Sequence, residues 1–328
     1  MRAAAGWLAR RLGFYFIAAM VAVVLNFLIP RLMPGDPASV LFARFQGDLD
    51  PEAIEGLRAT FGLQDAPLHE QFGTYISALA HGDLGLSVAY FPTPVSQVLG
   101  EGLLWTGLLA GGAVLISFVL GSSLGALAAW KKGGPLDTVL PPLLAFLGAF
   151  PYFWLAMLAA WVFGFQLDWF PLRHAYADNL APSFSWPFIQ SVISHAFLPA
   201  LTMVVVSLGG WLLAMRNTMI GVLGAEHVRY AQARGLTPRR ILVHYAARNA
   251  LLPNVAGFGM ALGFVLSGAL LTEVVFSYPG TGLLLLTAVR GQDYPLLQGL
   301  FLAITFAVLS ANWMVDVVTV ALDPRTRT

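Results

Sequence analysis

Apolar residues gather in six long stretches, at 12–33, 102–130, 138–165, 196–220, 250–275 and 296–320, separated by segments that hold most of the charge. Each is long enough to cross a hydrocarbon layer of about 30 Å at a rise of about 1.5 Å per residue. Backbone amides in lipid must be satisfied within their own segment, so all six are expected to be helices. The first, from Phe14 to Met33, follows Arg10 and Arg11. It exceeds the apolar core of a secretory leader and reads as a retained span. Gly107 with Gly111, Gly121 with Gly125, and Gly259 with Gly263 lie four apart inside these stretches. That spacing allows close approach of helix backbones, although glycine is also simply common in membrane helices.

The segment from Pro34 to Gly100 is too long for a plain connection. It carries two amphipathic stretches. Asp50 and Pro51 suit a helix cap and first turn, Ile54, Leu57 and Phe61 share a face, and Gly62 suits the end. Pro67 opens a second, with Leu68, Phe72, Tyr75, Ile76 and Leu79 on one stripe before Gly82. A small extracytoplasmic helical subdomain, or a helix pair lying on lipid, is expected here. The chain therefore divides into 1–33 (N-terminus and first span), 34–100 (subdomain) and 101–328 (a five-helix core).

Composition agrees with the pattern. Hydrophobic residues make up 58%, charged residues 11%, and the mean hydropathy is +0.73. A soluble domain of this length needs far more charge to cover its surface. The placement of charge sets the orientation. With the N-terminus inside, the inner segments and helix ends hold Arg2, Arg10, Arg11, Lys131, Lys132, Arg216, Arg229, Arg234, Arg239, Arg240, Arg248, Arg325 and Arg327. The outer side keeps Arg31, Arg44, Arg58, Arg173 and Arg290, together with the acidic run from Asp36 to Glu101. Six spans then put both termini in the cytoplasm. The chain has no cysteine, which removes disulfides, thiolate metal sites and cysteine nucleophiles.

The most informative segment is EHVRYAQARGLTPRRILVHYAARNALLP, from Glu226 to Pro253, between the fourth and fifth stretches. It reads as helix, break, helix. Gly235 suits the left-handed residue that ends the first helix, Thr237 a cap, and Pro238 the first turn of the second. Ala231, Ala233 and Gly235 would leave a narrow ridge, and Arg229, Arg234, Arg239 and Arg240 could pair with carboxylates around a receiving groove. Spacing alone leaves two readings open: a docking ridge, or a basic loop that follows the positive-inside rule.

Ionisable groups within the spans are few. Glu273 and Asp316 lie near span ends, where structural roles are favoured over transport. Asn26 and Asn312 suit bonds between helices. Phe150, Tyr152, Phe153 and Trp154 could line a path or anchor an interface; Phe150, Tyr152 and Asn312 are the path candidates. No phosphate-binding loop of the Gly-x-x-x-x-Gly-Lys-Ser/Thr type is present, and no nucleophile–base set or metal-ligand spacing emerges.

The 226–253 segment resembles the ATPase-docking loop, or EAA loop, of ABC-importer permeases, in particular their dipeptide/oligopeptide branch. Arg229, Ala231, Ala233, Gly235 and Leu236, then Arg248, Asn249, Ala250, Leu252 and Pro253, match that branch's pattern. The name-giving Glu-Ala-Ala is replaced by Arg229, Tyr230 and Ala231, and the tyrosine departs from the usual pattern. Further matches follow in order: Met33-Pro34-Gly35-Asp36-Pro37, His81-Gly82-Asp83-Leu84-Gly85, Pro151-Tyr152-Phe153-Trp154, Phe276-Ser277-Tyr278-Pro279-Gly280 and Asp293-Tyr294-Pro295. The resemblance implies an all-α polytopic fold of the type I importer class, with the docking loop at 221–249 including Tyr230, Leu236, Arg239 and Arg240. It implies a non-enzymatic chain without a cofactor of its own, ATP and Mg being held by partner subunits. The implied partners are a second related permease subunit, two cytoplasmic ATPases and an extracytoplasmic solute-binding protein, all at the cytoplasmic (inner) membrane and embedded in its lipid, with no nucleic acid. Peptide is the expected cargo, with oligosaccharide or nickel as alternatives. An ion-coupled secondary transporter is the contrasting class; it would favour midplane carboxylates, and it leaves the hairpin unexplained.

Overall fold

The computed structural model describes residues 2–32 and 67–322. Among these the only β pairing is an isolated bridge between Leu86 and Pro94; the rest is helix and turn. The helices are α1 (Arg2–Leu32), α2 (Leu68–Ala80), α3 (Val95–Trp130), α4 (Pro135–Gly148), α5 (Tyr152–Gln166), α6 (Trp186–Leu223), α7 (Glu226–Ala233), α8 (238–268), α9 (Leu270–Val275), α10 (Thr281–Arg290) and α11 (Tyr294–Leu322). The expected amphipathic stretch around 51–62 lies outside the described residues.

Among the described residues four helices are long and apolar enough to cross a membrane: α1, α3, α6 and α11. The expected single helix over 138–165 is instead two pieces, α4 and α5, bent by 92°. The physical reason lies in the sequence of the break. Pro151 has no amide to donate and disfavours helical geometry at Phe150, so α4 ends at Gly148 and a new helix begins after the proline. Taken as one span, the bent pair makes a fifth candidate. The stretch 250–275 is also interrupted, at Ala269, where α8 gives way to the six-residue α9.

The most extensive packing joins α3 to α6, and glycine makes it possible. A Cβ on Gly125 would fall on the Leu212 carbonyl oxygen, and one on Gly121 would meet the Trp211 Cβ and the Leu208 oxygen. Gly259 and Gly263 likewise face Val315 and Ala311 of α11. Gly107 and Gly111 do not belong to such a contact: a Cβ at either meets nothing within 4 Å. Gly125→Leu is therefore expected to hold α3 and α6 apart, at an overpacking cost of about 1–3 kcal/mol or more. Gly111→Ala is expected to leave stability unchanged. Thermal denaturation of the purified protein in detergent separates the two, and equal shifts would remove the close-approach explanation.

The first and last long helices are tied together across the chain. Tyr15 donates to Asp316 Oδ2 at 2.6 Å, and the Arg11 guanidinium lies 3.3 Å from the same oxygen. Asn26, buried, donates to the Gln298 carbonyl at 2.8 Å. Asp316 and Asn26 are thus structural links between helices. The outward face of α1 carries Phe14, Phe16 and Ile17, with Phe16 67% exposed, a surface suited to lipid. Near its end, Phe27 packs against Phe72 and Tyr75 of α2 at ring distances of 5.1 and 5.6 Å, and Arg31 donates to Gln71 at 3.0 Å. The stripe on α2 therefore rests on the end of α1. Gly82, at φ +74, closes α2: its amide donates to the Leu79 carbonyl, and that of Asp83 to Ala78.

Candidate docking site

The Glu226–Pro253 hairpin folds as its residue types dictate. Helix α7 ends in a Schellman turn, with the Gly235 amide donating to the Gln232 carbonyl at 2.9 Å and the Leu236 amide reaching Ala231 at 3.3 Å. This geometry needs a left-handed residue, and Gly235 supplies it at φ +70. Thr237 then adopts the extended conformation of a cap, and Pro238 stands in the first turn of α8. Helix α8 continues through a wide π turn at Ile241–Ala247 into Arg248–Gly268 without a break. The hairpin is thus covalently and helically continuous with the interior of the bundle. Asn249 Nδ2 bridges back to His227 Nε2 at 3.2 Å, joining the two arms.

The hairpin presents two unlike faces. Val228, Ala231, Ile241 and Ala246 are buried against Ala126 and Ala129 at the end of α3 and against Met215 and Met219 near the end of α6. Ala231, 1% exposed, is therefore on the inner face and not on the outward ridge, where the spacing of small residues alone would place it. Leu236 is half-buried against the same cluster. The outward face carries Arg229, Tyr230, Ala233, Arg234, Gly235, Arg239 and Arg240, all exposed. Tyr230 is 67% exposed, and the Arg234 guanidinium lies 6.0 Å from its ring centroid. An aromatic ring beside a cluster of guanidinium groups suits a protein surface bearing carboxylates and apolar side chains. The π turn and the Val228 anchor escape a reading of hairpin chemistry. Val228 is nonetheless visible as the residue one helical turn before Ala231.

The other end of the bundle is polar in a different way. Helix α3 has 36 residues, so its ends lie about 54 Å apart. At its first end, Thr106 donates to Glu273 Oε1 at 2.7 Å and accepts from the Thr281 amide at 2.8 Å. The Gly282 amide donates to Glu273 Oε2 at 2.6 Å, and the Leu283 amide also bonds to this carboxyl. Glu273, fully buried, thus satisfies the free amides at the start of α10, where the helix dipole favours negative charge. Asp293 does the same for α11: it accepts from the Leu296 amide at 3.0 Å, and from Ser87 and the Ala89 amide. Glu273 is accordingly a structural cap placed across elements. No solvent reaches it.

The path candidates do not converge on one site. Phe150 and Tyr152 stand at the α4–α5 bend, where Phe150 stacks on Trp154 at 5.1 Å and meets Phe146 edge-on at 5.1 Å. Asn312 is half-buried on α11. At the first end of α3 a cavity lies between its opening turns and the 167–185 loop.

A bundle of apolar helices, several of them long enough to span a bilayer, with a basic hairpin packed at one end, defines a membrane-embedded protein. Residues 121–328 match the family model described as "Binding-protein-dependent transport system inner membrane component", and the chain belongs to that family. It is similar to the probable D,D-dipeptide transport system permease protein DdpB of Escherichia coli (strain K12), at 35% identity over 95% of this chain and 94% of the relative. It is also similar to the di/tripeptide transport system permease protein DppB of Pseudomonas aeruginosa (strain UCBPP-PA14), at 32% identity over 98% of each chain. The dipeptide transport system permease protein DppB of Escherichia coli (strain K12) is 31% identical over 97% of each.

Proposed function

We propose that this chain is the permease subunit of an ATP-driven, binding-protein-dependent importer of short peptides in the cytoplasmic membrane. In this reading the four long helices α1, α3, α6 and α11, the bent pair α4–α5 and the combined α8–α9 make six crossings, with both termini and the hairpin inside. The α2 segment and the polar end of the bundle face outside, where a solute-binding protein delivers cargo. A second, related permease subunit completes the path. Two cytoplasmic ATPases hold the ATP and Mg, and one of them grips the outward face of α7.

The observation that carries this reading is the construction of the hairpin. Its inner face is packed on α3 and α6, and its second arm runs uninterrupted into α8. A packed helix transmits displacement and does not absorb it, so movement of a subunit attached at Tyr230, Arg234, Arg239 and Arg240 is passed to three long helices together. The peptide names of the relatives support the choice of cargo.

The test is reconstitution of the chain with its permease, ATPase and binding-protein partners in proteoliposomes. ATP-dependent uptake of labelled di- and tripeptides is expected, lost when the binding protein is omitted. Uptake driven by an ion gradient without ATP would overturn the transport class. Uptake of oligosaccharide or nickel with none of peptide would overturn the cargo.

A further inference from the structure

At the end of the bundle remote from the hairpin, a cavity of about 490 Å³ opens among the first turns of α3, the loop over 167–185 and the turn before α10. This size falls within the roughly 300–1,000 Å³ usual for small-ligand sites. Its wall places three aromatic rings, Tyr90, Trp105 and Tyr176, with two carboxylates, Glu101 and Asp178. Among the described residues His174 is the only basic side chain in the wall. The rings are set by the fold. Trp105 lies 5.6 Å from Tyr176 and meets the buried Tyr278 edge-on at 6.1 Å, and Tyr176 rests on Phe188 at 5.0 Å. The loop that carries Tyr176 and Asp178 is held by the Ala177 amide, which donates to Ser191 at 2.9 Å. Glu101 receives one long hydrogen bond, from Gln97 at 3.4 Å. Among the described residues neither carboxylate has an ion-pair partner.

Ring faces and carboxylates favour the same kind of ligand. The aromatic quadrupole attracts an organic cation, and the two carboxylates, both exposed at the cavity, add a solvent-screened attraction to it. A neutral ligand would gain contact with the rings and nothing from the charges. An anion would be repelled. We infer that this cavity is an entry subsite for the protonated amino group of a peptide, whose first side chain lies against the rings. The inference rests on the peptide-importer reading and adds a recognition element on the permease itself. A lysine of the binding protein offers the same ammonium chemistry, and the experiment separates the two sources.

The probes are Phe-Ala amide, which carries an ammonium and no carboxylate, and N-acetyl-Phe-Ala amide, which carries neither. Their binding to the assembled importer in nanodiscs, without binding protein, is measured by saturation-transfer NMR. Wild type is expected to prefer the free amine. In the Glu101→Gln/Asp178→Asn double variant, affinity for the free amine is expected to fall about three- to tenfold, while the acetylated probe is unaffected. Glu101→Asp, which keeps the charge, is expected to retain most of the affinity. Co-purification of the ATPase partners establishes that the variants assemble. Equal binding of both probes by wild type, or no change in the double variant, overturns the proposal. Weakened capture of the empty binding protein with unchanged amine binding also overturns it, and assigns the cavity to a partner lysine. Peptide uptake by wild type is followed in parallel. A wild type that binds the amine and imports no peptide would contradict the functional reading and leave the cavity's chemistry standing.

Discussion

Gly235→Val is expected to uncouple the permease from ATP hydrolysis, whereas Gly235→Asn is expected to leave coupling largely intact. Valine is β-branched and is forced out of the left-handed region, at a cost of about 1–2 kcal/mol at this one residue. Asparagine enters that region readily. A Cβ at Gly235 meets nothing within 4 Å, so the first side-chain atom of either replacement is accommodated and the contrast bears on the backbone conformation. Losing the Schellman turn frees the Gly235 and Leu236 amides and unhooks Leu236 from the cluster around Met215 and Met219. Binding-protein-stimulated ATP hydrolysis by the reconstituted complex is expected to fall about tenfold for valine, in proportion to the population of the closed turn. Equal loss for asparagine and valine would mean that the partner cannot tolerate any side chain there, and the conformational account would fail. Unchanged stimulation for both, in a complex that still assembles, would count against docking through this turn.

Glu273→Ala is expected to be the most destabilising single change at the opposite end. It leaves the Gly282 and Leu283 amides without this acceptor in a site closed to water, and leaves the Thr106 hydroxyl only the Thr281 hydroxyl at 3.1 Å. Each unsatisfied buried donor costs about 1–3 kcal/mol. The sum is several kcal/mol, which in a protein of this size lowers the thermal midpoint by on the order of 10 °C. Thr106→Val removes one of the same bonds, so the double variant is expected to lose less than the two single losses combined. Melting curves of the purified variants test both statements. A Glu273→Ala midpoint within a degree of wild type would show that the carboxyl does not hold α3, α9 and α10 together.

Much of this architecture is legible before any coordinates are considered. The apolar stretches, the helix ending at Gly82 and the turn at Gly235 follow from hydropathy, proline and glycine chemistry over a few consecutive residues. The α4–α5 bend is written in Gly148 and Pro151, yet reading 138–165 by hydropathy alone passes over it, because apolar character does not report backbone direction. The exposed face of the hairpin is legible only in part. Arg229, Tyr230, Arg234, Arg239 and Arg240 do point outward, but the small residues of α7 divide, with Ala233 outside and Ala231 inside, since alanine carries no chemical mark of the surface it will face.

The sequence alone determined that this is a helical membrane protein with a glycine-closed basic hairpin, because these are properties of local segments and of charge placement; the binding-protein-dependent transport class rested on resemblance to a known family. Only the tertiary structure decided that Glu273 caps a helix through Thr106, 167 residues away, and that Tyr15 meets Asp316 across 301 residues. It also decided that two acidic side chains from separate segments share a wall with three rings. Such pairings depend on which helix surfaces come into contact, and side-chain packing between distant segments leaves no periodic trace in the chain.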